Sequence, residues 1–310
     1  MKNELAYESP NAWERYAGAR KDVLALAGRY LDFISRCKTE RETVAYVQER
    51  LAEAGYAEDS GAARVMRPLR EKALFAARRG SRSLEDGIAL IAAHADSPRL
   101  DFKQHPLVEQ PGVVQAKTHY YGGIRKYQWL ARPLALHGVV IREDGSRVHV
   151  SIGEKPGEPV FCIADLLPHL AQKQAGQKLS EAFEAEKLNI VLGHAPDGPA
   201  SSRRRDRKDG KDESLKDGLL RLLHKKYGIS EEDLITAELQ AVPAGAARFV
   251  GFDRALLGGY GQDDRICVFA ALEALLTADA AAPRPMAVMF WDKEEIGSDG
   301  ATGAASRFFQ

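Results

Sequence analysis

Residues 87–96 read GIALIAAHAD and residues 286–295 read MAVMFWDKEE, two apolar runs that each end in ionisable side chains. Gly87 to Ala93 is apolar at successive positions rather than at every second one, the pattern of a strand covered by helices on both faces. Met286 to Trp291 repeats that pattern, and the apolar stretch Asp263 to Ala278 predicts a long helix between the two strands. Upstream, Trp13, Tyr16, Val23, Leu24, Ala27, Tyr30, Leu31 and Ile34 fall close to a 3.6-residue period and predict an N-terminal helix. A second helix is announced by a capping box at Thr39 and Glu42, an apolar stripe at Val44, Val47 and Leu51, and a stop at Gly55.

The texture changes between these ends. From Gln104 to Glu158 the chain offers short β-like runs, VVQAKTHYY, LALHGVVI and RVHVSI, separated by Gly and Pro turns. Ala164 to Ala175 and Ser180 to Glu186 predict short helices, Leu188 to Gly193 a strand, Leu219 to Tyr227 a helix stopped by Gly228, and LITAELQAV a further strand. Ser201 to Asp217 mixes both charge signs with almost no apolar residue and predicts a mobile surface loop. The fold class that follows is α/β: a catalytic-type domain from residues 1–103 and 243–310, interrupted by a β-rich insertion over 104–242.

Composition narrows the function. No apolar run approaches the ~18 residues of a membrane span, and 44 basic against 44 acidic residues remove the broad positive field of a nucleic-acid binder. Cys37, Cys162 and Cys267 are scattered without a CxxC pair, and MKNELAYESP lacks a signal-peptide core, so a reducing, cytoplasmic setting is expected. Cys267 falls on the apolar side of its helix and is expected in the core.

Three polar clusters adjoin the apolar elements: His94-Ala95-Asp96, Gln262-Asp263-Asp264-Arg265 and Asp292-Lys293-Glu294-Glu295. In open α/β sheets ligands bind beyond the carboxyl ends of strands, where loops bring distant groups together. Imidazole and carboxylates are ligands for Zn²⁺ and similar ions, and a carboxylate with two oxygens can bridge a pair of them. Adjacent Glu294 and Glu295 beside a buried strand call for a cation to offset them. Singly, a surface His-x-Asp pair, a helix-capping Asp-Asp and a solvated Glu-Glu would each explain one cluster.

These residues resemble the M18 metalloaminopeptidases, a family related to aspartyl aminopeptidase. The resemblance is carried by AAHADSPRLDFK around His94, HYYGGI around Tyr121, GYGQDDR at Gly259 to Arg265 and FWDKEEIGS at Phe290 to Ser298. Trp291 and Lys293 depart from the commoner wording FDNEEVGS, and GYGQDDR from SPRLDN, which implies a divergent bacterial branch. The resemblance implies a three-layer α/β/α zinc-peptidase domain with an oligomerisation insertion, peptide substrates, and dimers that build into a larger shell. It implies two divalent ions per complete site, Zn²⁺ with Co²⁺ or Mn²⁺ as alternatives. His94 would ligate the first ion, Asp263 bridge both and Glu295 ligate the second; Asp96 would orient His94 and Glu294 act as general base. Asp264 would support the site, and His119 is either a satisfied structural histidine or a residue with a substrate or intersubunit role. The family's chains continue beyond EEIGS and take a further Asp and His from there, whereas after Ser298 this sequence offers Asp299 and no histidine, so a C-terminally incomplete chain is expected. Two other readings stand beside the aminopeptidase: an inactive scaffold that keeps the oligomerisation module, and a deacylase on the same fold.

Overall fold

The capping box at Thr39 and Glu42 forms in full: the Glu42 N–H donates to Thr39 Oγ1 at 3.2 Å and the Thr39 N–H donates to Glu42 Oε2 at 3.0 Å. The computed structural model describes residues 7, 9–59, 61–195, 214–279 and 281–309. Of the predicted mobile loop, residues 201–213 lie outside the described residues. The chain opens with α1 (Ala12–Arg15), α2 (Arg20–Arg36) and α3 (Glu40–Glu53). An antiparallel hairpin follows, β1 (Arg64–Leu69) and β2 (Ala73–Arg78), and then β3 (Ala89–His94). The sequence reading had no hairpin here: arginines and Pro68 break up the alternation of RVMRPL, and only one residue of β1 is fully buried.

A long excursion begins at β4 (Arg99–Gln110), five residues before the expected boundary at 104, and continues through β5 (Val113–Tyr121), β6 (Leu134–Ile141) and β7 (Arg147–Ile152). Two one-turn helices, α4 (Gln172–Ala175) and α5 (Leu179–Ala182), precede β8 (Ile190–Gly193), α6 (Leu215–Tyr227) and β9 (Glu238–Pro243). The helix expected from Ala164 is reduced to α4, because Pro168 interrupts it and Leu166, Leu167 and Leu170 find no surface to pack against. The chain returns through β10 (Arg248–Val250), β11 (Leu256–Gly258), α7 (Gln262–Thr277) and β12 (Met286–Trp291).

Two main sheets result. The first has the order β1-β2-β12-β3, with β12 parallel to β3 and antiparallel to β2. The second, β7-β6-β9-β4-β5-β8, is antiparallel at each of its pairings. Phe33 and Ile34 of α2, Val44, Val47 and Leu51 of α3, and Val268, Leu272 and Leu275 of α7 pack with Leu74, Val288 and Phe290 into one apolar core. The α/β reading therefore holds.

Two details differ from expectation. Leu90 and Ile91 are 51% and 39% exposed, because β3 forms an edge of the sheet and no described element covers its outer side. Cys267 is exposed, since Val268, Phe269, Ala271, Leu272 and Leu275 make the buried side of α7. In the second sheet Val114, Leu134, Leu136, Val139 and Val140 are buried within the chain and Val113 is partly exposed.

Candidate metal centre

The parallel pairing of β3 with β12 sets Trp291 beside His94, so the ionisable ends of both strands emerge at one place. The Ala95 N–H donates to the Trp291 carbonyl at 2.8 Å and extends that pairing past the strands. The start of α7 completes the site. Gly261 has φ +79°, where a Cβ would lie 1.9 Å from Arg265 Nη1, so a side chain is excluded from this turn on both counts. Asp263 and Asp264 have non-helical backbone angles and a cis peptide between them. Ser97 Oγ donates to the Asp263 carbonyl at 2.9 Å, and the buried Arg265 donates to the carbonyls of Ala95 and Lys38.

His94, Asp263 and Glu295 each present a ligand atom, all within 4.8 Å of one another. His94 Nδ1 lies 3.1 Å from the Asp96 carbonyl and 3.3 Å from Asp96 Oδ1. Both are acceptors, so Nδ1 carries the proton, and Nε2 faces Asp263 Oδ1 at 3.3 Å and Glu294 Oε2 at 3.7 Å. Asp96 is fully buried. Its carboxylate accepts from the backbone N–H groups of Glu294 and Glu295 at 3.3 and 3.2 Å and from the Tyr121 hydroxyl at 2.7 Å.

Charge at the site is unbalanced. Burial lowers the His94 pKa, but the hydrogen bond and charge of Asp96, with Asp264 and Glu294, outweigh it and raise the imidazole to about 9. Burial, with Asp96, Asp263 and Glu294 nearby, raises Glu295 to about 7 against the opposing pull of His94. Oxygen and imidazole donors converging on one point, with a surplus of negative charge among them, fit a divalent cation. His94, Asp263 and Glu295 would hold it, and Asp96 behind His94 would act as the orienting carboxylate common to histidine-ligated metals.

Asp264 Oδ2 accepts from the His94 backbone N–H at 3.3 Å, which fixes the strand end rather than adding a ligand. His119 is exposed, stacked on Tyr120 with ring centroids 5.4 Å apart, and outside the ligand cluster. Sequence reasoning assigned no role to Tyr121, although it lies in the HYYGGI motif, nor to Asp292, buried with the Thr302 hydroxyl donating to it at 2.9 Å. Beside Asp263 opens a cavity of about 540 Å³, lined by Ser97, Ile124, Arg125, Trp129, Arg132 and Tyr260 among others.

Residues 33–310 match the family described as Aminopeptidase I zinc metalloprotease (M18). The chain is 44% identical over 322 residues to the probable M18 family aminopeptidase 1 of Clostridium acetobutylicum, an alignment covering 100% of this chain and 67% of that protein. Its counterpart in Thermotoga maritima is 44% identical over 311 residues, covering 98% and 65%. The crystal structure of an M18-family aminopeptidase from Thermotoga maritima has a TM-score of 0.89 to this chain at 42% identity, over 98% of this chain and 65% of that one. The chain thus spans about two thirds of the length of the curated relatives it matches. With the motifs, both sheets and nearly every residue of the chain included in these likenesses, the chain belongs to the M18 family.

Proposed function

We propose that the protein is a zinc-dependent aminopeptidase that removes N-terminal residues from peptides at a two-metal site. The convergence of His94, Asp263 and Glu295 within 4.8 Å, beyond the ends of two parallel strands, carries this reading. Zinc bound there would polarise the scissile carbonyl and the attacking water. His94 and Glu295 would hold one ion each, and Asp263, whose side chain is 87% exposed, would be shared by both.

Glu294 handles the proton. Its carboxylate is half exposed, 3.7 Å from His94 Nε2, and held by none of the hydrogen bonds that fix Asp96. It therefore has the freedom to take a proton from the attacking water and deliver it to the leaving amine. The cavity beside Asp263 is placed to receive peptide. We further propose a homo-oligomer in the cytoplasm. The insertion between β7 and β8 leaves Leu166, Leu167, Leu170 and Leu179 each more than half exposed, an apolar surface suited to a second copy, and the three cysteines are unpaired. Peptide substrates are the expected partners, with no nucleic acid or membrane; among the described residues no helix is long and apolar enough to cross a membrane.

The test is product analysis of the zinc-supplemented protein. Free amino acid released from unblocked peptides supports the reading, and acetate released from N-acetyl amino acids in its place would assign a deacylase. Glu294→Gln should lower turnover ~10²-fold with zinc content unchanged; wild-type turnover in that variant would remove Glu294 from the mechanism.

A further inference from the structure

The ligand cluster is built by the first sheet and α7, yet the carboxylate behind His94 takes its shortest hydrogen bond from the second sheet. Tyr121 ends β5, is 8% exposed, and its hydroxyl donates to Asp96 Oδ2 at 2.7 Å. The other contacts of that carboxylate are 3.2 Å from the Glu295 N–H and 3.3 Å from both the Glu294 N–H and His94 Nδ1. Those distances are long for bonds to an ionised acceptor, whereas the Tyr121 bond has the length of a strong one. Rotation of the Asp96 carboxylate, and with it the oxygen offered to His94, is therefore set chiefly by Tyr121.

The ring that delivers this hydroxyl is itself held. The Arg99 guanidinium carbon lies 3.7 Å from the Tyr121 ring centre. Arg99 is anchored by Asp101 at 2.8 Å and by the fully buried Glu40 at 3.3 Å. The following residue, Gly122, has φ +70°, and a Cβ there would lie 3.0 Å from Glu295 Cβ. One corner of the second sheet thus bonds Asp96 behind His94 and runs beside Glu295 with no room for a side chain between them.

We propose that Tyr121 is a positioning residue of the metal centre: its hydroxyl holds Asp96 in the plane that directs His94 Nε2 at the ion, and so sets metal affinity. The proposal rests on reading His94, Asp263 and Glu295 as the metal ligands. A hydroxyl that merely satisfied a buried carboxylate would act on stability alone, and the two roles separate by experiment.

Zn²⁺ is titrated against a chromophoric chelator with the wild-type chain, Tyr121→Phe, Thr118→Val and His94→Ala, with the Tm of each recorded. Tyr121→Phe keeps the ring against Arg99 and should weaken Zn²⁺ binding by ~10-fold or more, the scale for partners that orient a ligand. Thr118→Val removes another buried hydroxyl of β5, one that donates to the Leu188 carbonyl at 2.6 Å, and should lower the Tm without changing affinity. Wild-type affinity in Tyr121→Phe, or an equal loss in Thr118→Val, overturns the proposal. His94→Ala distinguishes the two levels: if it abolishes binding while Tyr121→Phe does nothing, the site stands and the positioning role falls. If His94→Ala leaves binding intact, the ligand set itself is wrong. In an Asp96→Asn background, adding Tyr121→Phe should cost no further affinity, and a loss that adds in full would show that its effect does not run through Asp96.

Discussion

Asp96 and Glu40 are both carboxylates with no exposed surface, and they differ in what balances them. Glu40 meets Lys72 at 3.0 Å, Arg99 at 3.3 Å and the Gln240 amide at 3.2 Å, so two fixed cations neutralise it inside the fold. Burial would raise its pKa, but Arg99 and Lys72 overcome that and hold it well below the usual carboxylate range. Asp96 meets two backbone N–H groups, a phenol and one imidazole, and the far side of that imidazole faces Asp263 and Glu294. The Glu40 cluster is electrically closed, whereas the Asp96 cluster leaves negative charge facing outward. Burial is common to both, and only the unbalanced cluster calls for a ligand.

The largest expected effect lies in the closed cluster. Glu40→Gln leaves Arg99 with Asp101 and Lys72 with Glu238 as their remaining carboxylate partners, and breaking such a buried pair costs up to about 3–5 kcal/mol. Chemical denaturation of the variant measures this, and a loss under about 1 kcal/mol would show that water reaches the cluster and that the contrast with Asp96 is misdrawn.

A third buried cluster extends the comparison. His137 of β6 lies between Glu42 Oε1 at 2.7 Å and Glu154 Oε1 at 3.1 Å, and Lys38 Nζ is 3.7 Å from Glu154. Burial opposes protonation, yet Glu154 and Glu42 raise the imidazole from 6.5 to about 9. The folded value lies above the unfolded one, so protonated His137 stabilises the fold in full below pH 6.5. That contribution, at most about 3 kcal/mol, is lost as the pH rises toward 9. Unfolding free energies of wild type and His137→Gln should therefore converge between pH 6.5 and 9; a constant difference would mean that His137 does not titrate there.

Asp96→Asn should show the inverse of Glu40→Gln. Its effect belongs in metal affinity, about 10- to 100-fold weaker Zn²⁺ binding, because the ligand it orients is left without a charged partner. Chelator competition reads it directly. Unchanged affinity would place Asp96 with Glu40 among purely structural charges.

Legibility in the sequence followed the range of the interactions. The capping box is local, so Thr39 and Glu42 announced α3 without help from the rest of the chain. The strands β3 and β12 were legible as apolar runs, and their polar ends pointed to His94, Glu294 and Glu295. Glu40 was not, since an acid in the first turn of a helix is unremarkable and its Gln240 partner lies 200 residues away. Tyr121 stood within a recognised motif, but its hydroxyl acquires meaning only when β5 is brought against Asp96. Leu90 and Ile91 were read as covered, because a run of apolar residues records that a strand is built for burial and not what lies over it.

The smallest effect tests whether the outward-facing cluster depends on the second sheet through shape as well as through hydrogen bonding. Gly122 sits at φ +70°, where an L-residue is strained by about 1–2 kcal/mol, and an added Cβ would approach Glu295 Cβ to 3.0 Å and Oε2 to 3.1 Å. Strain alone would lower stability and leave the site intact. Contact with Glu295 adds a second consequence, because Pro98 lies only 3.4 Å from the same added atom and limits movement of the glycine away from the site. Glu295 must then yield, and its carboxylate shifts relative to His94 and Asp263. Gly122→Ala should therefore lose about 1–2 kcal/mol of stability and also several-fold in Zn²⁺ affinity. Gly123→Ala, where an added Cβ meets nothing within 4 Å, should leave affinity unchanged. Equal affinity in the two variants would confine the second sheet's influence on the metal centre to the Tyr121 hydroxyl.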